Sequence, residues 1–240
     1  MDVKESLRRR IWSLMERENI ALFPRPVYGR IPNFKGAERA SVRVTRERCW
    51  ESAEVLLIAP DSPQRPLRRL ALEGGKKVLM PTPRLKEGFL LLDPRSLNVK
   101  VIFEAATIRG AFKWGKKVRL RELPPVDLII LGSVIVDRYG TRIGKGGGYA
   151  ELEYAILREL NLVDEDVPVI TTVHDVQVVN AELPREPHDL GLDYIFTPTR
   201  VLKTLRPLPK PKGIYWHLLG EEKLKEIPLL KSLKRTGQEP

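Results

Sequence analysis

The sequence predicts an α/β fold, in which helices cover both faces of a doubly wound, mostly parallel sheet. Short apolar runs alternate with helical patterns along most of the chain, and this alternation is typical of parallel strands joined by crossover helices. The run 127–136 is largely apolar, as expected of a strand buried on both faces. The predicted architecture is therefore Rossmann-like and has three layers.

The individual elements follow from periodicity and from turn-forming residues. Leu7, Ile11, Leu14 and Met15 have helical spacing and predict a helix over 3–19. Proline and glycine predict an irregular segment over 23–36, and the pattern over 99–120 is ambiguous. The predicted strands are 55–59, 77–80, 127–136, 167–173 and 194–197, and the further predicted helices are 66–73, 149–160 and, more weakly, 221–226. The run 89–92 is apolar and bounded by turn-forming residues.

Length and composition suit one water-soluble core. The chain has 240 residues, of which 42% are hydrophobic and 30% charged. We expect one α/β domain over 1–207, followed by a basic arm over 208–240 that is part of the same domain or partly flexible. No apolar run is long enough to span a membrane. The lone Cys49 excludes an internal disulfide and a cysteine metal site, and the N-terminus has no apolar signal core. These features predict a cytoplasmic protein.

The net charge of +11 has two interpretations. It favours a polyanionic partner, such as nucleic acid or a phosphorylated ligand. It also fits a heavily charged surface of the kind common in thermophiles. Charge alone does not decide between them.

The most informative segment runs from Asp137 to Glu151. Glycines at 144, 146, 147 and 148 allow a close approach to the backbone, and the predicted helix that follows offers unpaired N–H groups to an anion. Arg142 and Lys145 add positive charge. The spacing matches neither a P-loop nor a dinucleotide fingerprint. A mobile surface loop is the alternative, but the pattern favours a site for the phosphates of a nucleoside triphosphate.

Two further cations lie on the apolar line of the first predicted helix. Lys4 and Arg8 share the face of Ile11 and Met15. This position indicates the rim of a pocket, or long side chains that extend over the core.

Three separated segments resemble the 5-formyltetrahydrofolate cyclo-ligase family. The run from Arg142 to Tyr149 is similar to the nucleotide loop of that family, and Lys4-Glu-Ser-Leu-Arg8 resembles its N-terminal ATP-contacting motif. Gln177 and the segments 183–189 and 193–198 form the third match. The runs 148–154, 171–177 and 197–200 are similar to a divergent branch, the methenyltetrahydrofolate synthetase domain-containing proteins.

The resemblance implies a fold of the NagB/RpiA/CoA-transferase-like type and a specific reaction. ATP and 5-formyltetrahydrofolate would give 5,10-methenyltetrahydrofolate, ADP and phosphate, with ATP and Mg²⁺ as cofactors and a reduced folate or pterin as the other partner. Glu151 and Asp189 would bind the metal, and Arg142 and Lys145 would be catalytic. The residues implied in ATP binding are Lys4, Arg8, Arg142, Gly144, Lys145, Gly146, Gly147, Gly148 and Tyr149.

The sequence also departs from the family pattern. Ala150-Glu151 stands where the family has Tyr-Asp, and the segment 60–66 lacks the glutamate that contacts the family's substrate. These changes leave open a second interpretation, a nucleotide- or RNA-binding protein that retains the fold without the reaction. The chain has no aromatic strand pair of the kind found in RNA-recognition modules. The oligomeric state is not predicted.

Overall fold

The computed structural model describes residues 2–205 and 208–236. The boundary predicted at 207 and the end of the arm, 237–240, lie outside the described residues. The helices are α1 Val3–Arg17, α2 Ala37–Val44, α3 Arg48–Glu51, α4 Arg65–Glu73, α5 Ile102–Ala105, α6 Ile108–Trp114, α7 Tyr149–Glu159, α8 Glu221–Glu226 and α9 Pro228–Thr236. The strands are β1 Ala21–Leu22, β2 Asn33–Phe34, β3 Val55–Ile58, β4 Lys77–Pro81, β5 Phe89–Leu92, β6 Lys116–Val118, β7 Leu128–Leu131, β8 Ile135–Asp137, β9 Arg142–Ile143, β10 Val169–Thr172, β11 Val178–Val179, β12 Tyr194–Phe196 and β13 Val201–Lys203.

The main sheet confirms the predicted mostly parallel α/β fold. Its order from edge to edge is β13-β12-β10-β7-β3-β4-β5-β6. The run from β12 to β4 is parallel, whereas β13, β5 and β6 are antiparallel to their neighbours. At the centre, Leu57 of β3 stands opposite Leu79 of β4 on one side and Ile129 of β7 on the other.

Alternate residues of the central strands face two different helical layers. Leu56 and Ile58 belong to the core cluster that includes residues of α2, α4 and α5, whereas Leu57 belongs to the cluster that includes residues of α7 and α9. The side chains of Leu56, Leu57 and Ile58 are all inaccessible to solvent. The sheet is therefore buried on both faces, as the apolar runs predicted.

The winding of the sheet reverses between β3 and β7. From β3 the chain passes through α4 to β4 on one side, and from β7 it passes through α7 to β10 on the other. The carboxyl ends of two such strands leave a crevice between them, where α/β proteins bind ligands. Asp61, shortly after β3, and Gly132, directly after β7, lie at this crevice.

The prediction of one continuous strand over 127–136 is wrong, because the strand breaks after Leu131. Beyond Gly132 the chain leaves the main sheet, and β8 pairs with β9 and β11 in a small second sheet. A Cβ on Gly132 would lie 2.8 Å from Ile31 Cγ2 and 2.9 Å from Asp61 Oδ2. Only glycine allows the chain to turn at this crowded point. Arg142 and Ile143, expected in a loop, form β9 for the same reason, since the small sheet extends beyond the predicted strand.

Helix α1 packs over the small sheet. Ile11 and Met15 are buried in one cluster with Val134, Ile135 and Ile143. Asp2 caps the helix by accepting a hydrogen bond from the backbone of Lys4. This packing carries the first turns of α1 towards the loop that follows β9.

Two segments that the sequence left undefined have regular structure. The irregular segment 23–36 contains β2, which pairs with β1, and the ambiguous region 99–120 contains α5, α6 and β6. The C-terminal arm packs on the core, because Ile227 and Leu230 are fully buried in the cluster that includes α7. The division into a domain and an arm stays a prediction. Among the described helices, none combines the length and the apolar character that crossing a bilayer would require.

Candidate functional site

The glycine loop, residues 144–148, joins β9 to α7. Gly146 and Gly148 have φ values of +104° and +66°, which residues with side chains rarely adopt, and Gly148 is the N-cap of α7. Within the described chain, the backbone N–H groups of Gly146, Gly147 and Gly148 donate to no other residue. They are therefore free to bind an anion at the positive end of the helix.

Arg8 connects α1 to this loop. Its Nε donates to the carbonyl oxygen of Gly144 at 2.7 Å, and a Cβ on Gly146 would lie 3.4 Å from Arg8 Cζ. The side chain is only 10% exposed, and its Nη1 lies 3.2 Å from Glu5 Oε2. The guanidinium is thus held against the loop instead of extending over the core into solvent.

Lys4 and Asp189 are brought together from opposite ends of the chain. Lys4 Nζ lies 2.7 Å from Asp189 Oδ2 and 3.7 Å from Glu186 Oε2. The backbone N–H of Glu186 also donates to Asp189 at 2.8 Å. Lys4, which is implied in ATP binding, therefore forms an ion pair with Asp189, which is implied in metal binding.

Arg142 is buried and links the two sheets to α7. Its Nη1 donates to the carbonyl oxygen of Gly132 at 2.7 Å, and its Nη2 forms an ion pair with Glu151. The side chain is 3% exposed. Its Nε is buried without a partner among the described residues. Arg142 therefore fixes the end of β7 relative to the start of α7.

Lys145 pairs with Asp61, a residue that the sequence analysis did not identify as part of the site. Lys145 Nζ lies 2.8 Å from Asp61 Oδ1, and the two side chains are 43% and 18% exposed. Asp61 belongs to the segment that has no match to the family's substrate glutamate. The sequence signal that could have identified Asp61 was its position just after a central parallel strand. Ligand-binding residues concentrate at that end of the sheet.

The ring of Tyr149 lies against the glycine loop, and a Cβ on Gly147 would come within 2.5 Å of its Cδ2 and Cε2 atoms. Its hydroxyl donates to Glu226 Oε2 of α8 at 2.7 Å, and Lys223 Nζ lies 3.4 Å from the centre of its ring. Burial, with a further contribution from the Glu226 carboxylate, raises the pKa of Tyr149 to about 12. The ring of Tyr149 therefore connects the glycine loop to the C-terminal arm.

Glu153 is the second site residue that sequence reasoning missed. It lies on α7 with 5% of its surface exposed, and it forms no hydrogen bond or ion pair with a residue that the structure describes. Burial, followed by the negative charges of Asp61 and Glu151, raises the pKa of Glu153 well above 4.5, against the opposing effect of Lys145. The sequence signal was an acid on the helical face shared with Ile156.

The carboxylates fit a magnesium–nucleotide complex in chemical type. Mg²⁺ prefers oxygen ligands and is usually held by one or two carboxylates together with phosphates and water. Glu151 and Asp189 are each paired with a cation that bound phosphates would also attract. The donor atoms of Glu186, His188 and Asp189 lie within 4.8 Å of one another, and Glu151 is not in this group. A metal shared by Glu151 and Asp189 stays a prediction.

Two cavities lie near the Lys145–Asp61 pair. The larger, about 660 Å³, is bounded by Lys145, by Arg9 and Trp12 of α1, and by Tyr28. The smaller, about 250 Å³, begins at Ser62, the residue after Asp61. One cavity therefore reaches the glycine loop at Lys145, and the other reaches the segment that follows β3 at Ser62.

Comparison with known proteins gives a consistent result. The model of the 5-formyltetrahydrofolate cyclo-ligase family matches residues 1–198. Methenyltetrahydrofolate synthase domain-containing proteins of Bos taurus and Mus musculus are 43% and 44% identical over 239 residues. These alignments cover 98% of this chain but only 63% and 64% of the relatives, so the chain spans less than two thirds of their length.

The solved structure of Aquifex aeolicus 5,10-methenyltetrahydrofolate synthetase has a similar fold, with a TM-score of 0.55 at 19% identity. The similarity covers 91% of this chain and all of the other. The match to the family model extends over most of the chain and includes both α1 and the glycine loop. The chain therefore belongs to the 5-formyltetrahydrofolate cyclo-ligase family.

Proposed function

We propose that this protein is an ATP- and Mg²⁺-dependent cyclo-ligase that converts 5-formyltetrahydrofolate into 5,10-methenyltetrahydrofolate. One observation carries the proposal: Arg8 of α1 donates to Gly144 at 2.7 Å beside three glycine N–H groups that have no partner among the described residues. Cations and amide donors thus converge on one turn. Family membership supports the same reaction class.

The reaction requires mainly positioning and charge neutralisation. The formyl oxygen of the folate would take the γ-phosphoryl group, and its N10 would then close the ring and release phosphate. Phosphoryl transfer needs little covalent help from a protein. Lys145 and Arg142 would stabilise the transferred group, while Lys4 and Arg8 would neutralise the rest of the triphosphate.

The metal and the loop have separable roles in this proposal. Mg²⁺ would neutralise phosphate charge, with Glu151 and Asp189 among its ligands. The N–H groups from Gly146 to Tyr149 would orient the phosphates along the axis of α7. Asp61, paired with Lys145 at 2.8 Å, would keep that cation at the crevice between β3 and β7.

The second candidate function is a nucleotide- or RNA-binding protein without catalytic activity. Ala150 in place of the family's tyrosine and the missing glutamate of segment 60–66 favour it. The net charge of +11 and the exposed Trp114, with Lys113 Nζ at 4.6 Å from its ring, would suit a nucleic acid.

A spectrophotometric assay distinguishes the two functions. The protein is mixed with 5-formyltetrahydrofolate and Mg-ATP, and the absorbance of the methenyl product is followed, with ATP-free and EDTA-treated mixtures as controls. We expect product formation that requires both ATP and a divalent ion. ATP binding without product, at high protein concentration, would support the second function.

If the protein binds ATP but forms no product, its affinity for RNA is measured next. Affinity that falls steeply with salt but shows no sequence preference would reflect phosphate contacts alone.

A cytoplasmic location is also part of this proposal, on the basis of the lone Cys49 and the requirement for ATP.

A further inference from the structure

The smaller cavity has the chemical character of a binding site. It lies beside Ser62, at the carboxyl end of β3, and its wall includes Arg65 and Arg69 of α4 and Phe103 of α5. Its volume is about 250 Å³. Asp61 directly precedes Ser62 and lies 2.8 Å from Lys145 of the glycine loop, so the cavity adjoins the segment that contacts this loop.

Arg65 is a cation with no counter-ion in the part of the chain that the structure describes. Its guanidinium forms no ion pair or hydrogen bond with any described residue, and its Cζ lies 4.6 Å from the centre of the Phe103 ring. Phe103 itself is 63% exposed. A guanidinium that stacks on a ring keeps its N–H groups available for a carboxylate.

Arg69 adds a second cation whose present partners are weak. It lies 3.7 Å from Glu38, which is 77% exposed, and 3.4 Å from Glu73, which is 44% exposed. Ion pairs of this kind contribute little, so a ligand carboxylate could replace them at low cost. Arg65 and Arg69 are four residues apart on α4 and therefore lie on the same side of the helix.

The start of α4 favours the same kind of ligand. The first turn of this nine-residue helix contains no acidic residue, so its positive end is not neutralised by a side chain of its own. The cavity therefore combines an exposed aromatic ring, two arginines and a helix start. This combination fits an aromatic group that ends in carboxylates.

We infer that this cavity binds the aminobenzoyl-glutamate arm of a reduced folate, with Phe103 against the aromatic ring and Arg65 and Arg69 at the carboxylates. The inference rests on the proposed function, because that function supplies a folate as the second substrate. The pterin end would then lie towards Asp61 and Lys145, where the phosphoryl group is expected. Arg65 is a specificity-determining residue in this arrangement.

The test measures binding by calorimetry with three probes: 5-formyltetrahydrofolate, a 5-formyltetrahydropterin that lacks the arm, and p-aminobenzoylglutamate alone. The variants are Arg65→Ala and Phe103→Ala, and the control is Arg95→Ala, an exposed arginine outside the cavity. We expect Arg65→Ala to weaken the folate and the benzoylglutamate by about tenfold. The same change should leave the affinity for the arm-less pterin unaltered.

The outcomes separate this inference from the proposed reaction. If Arg65→Ala and Phe103→Ala bind both arm-containing probes like the wild type, or if Arg95→Ala weakens them equally, the inference is wrong even when methenyl product forms. If the wild type binds none of the probes, the inference is also wrong. If binding depends on Arg65 but no product forms, the arm site stands and the proposed reaction does not.

Discussion

Replacement of Lys145 by methionine should reduce nucleotide affinity with little effect on folding. The Lys145–Asp61 pair spans 2.8 Å, and its side chains are 43% and 18% exposed. A pair this accessible contributes at most about 1 kcal/mol to stability. A charge-assisted contact to phosphate is worth about 1.5–3 kcal/mol, which corresponds to a tenfold to roughly 150-fold loss of affinity. The two effects should therefore separate clearly.

The measurement is the Kd for Mg-ATP by calorimetry, together with urea denaturation of the same variant. Lys113→Met is the matched control, since Lys113 also pairs with an acid, Glu104, at 3.2 Å and is 56% exposed. Asp61→Asn should weaken Mg-ATP binding less than Lys145→Met does, because it keeps the cation and removes only the carboxylate that positions it. An affinity within twofold of the wild type for Lys145→Met, or an equal loss for Lys113→Met, would refute the role of Lys145.

Three other substitutions test neighbouring parts of the site. Glu153→Gln removes a group whose pKa is raised in the folded state. The wild type should lose stability as pH rises above 4.5, because Glu153 releases its proton at a lower pH in the unfolded chain than in the folded one. Urea denaturation should therefore show that the stability of the variant, relative to the wild type, increases with pH. Arg142→Ala should cost about 1–3 kcal/mol of unfolding free energy, because Glu151, whose side chain is 14% exposed, loses its partner, and should weaken Mg-ATP binding at least about tenfold. Gly132→Ala should cost about 1–3 kcal/mol through overcrowding, whereas Gly220→Ala, with open space around it, should change stability by less than about 0.5 kcal/mol.

Each of these three predictions has a contrary result. An unchanged pH profile for Glu153→Gln would mean that Glu153 is ionised in the folded protein. Full stability of Arg142→Ala would contradict the buried pair with Glu151. A neutral Gly132→Ala would show that the turn after β7 can move to accommodate a methyl group.

The order of layers was predictable because it depends on local patterns. Apolar runs such as the one at Leu128 are recognisable without knowledge of their neighbours, and α7 could be located from the glycines that precede it. The end of β7 was not predictable. A strand stops at Gly132 because Ile31 and Asp61, remote in sequence, occupy the space that a side chain would need.

Among the site residues, the sequence determined the glycine loop and the cations near it. The density of glycines, the position of Arg8 on the apolar line of α1 and the charge of Lys145 are local features. They follow from residue type and spacing, which is the information that a sequence contains directly.

The tertiary structure alone decided which charges meet. Lys4 pairs with Asp189, 185 residues away, and Lys145 pairs with Asp61, 84 residues away. It also decided that Glu153 is buried among those charges and that Tyr149 turns to the C-terminal arm. Side-chain partners and pKa values depend on distances through space between distant segments, and the topology of the sheet sets those distances.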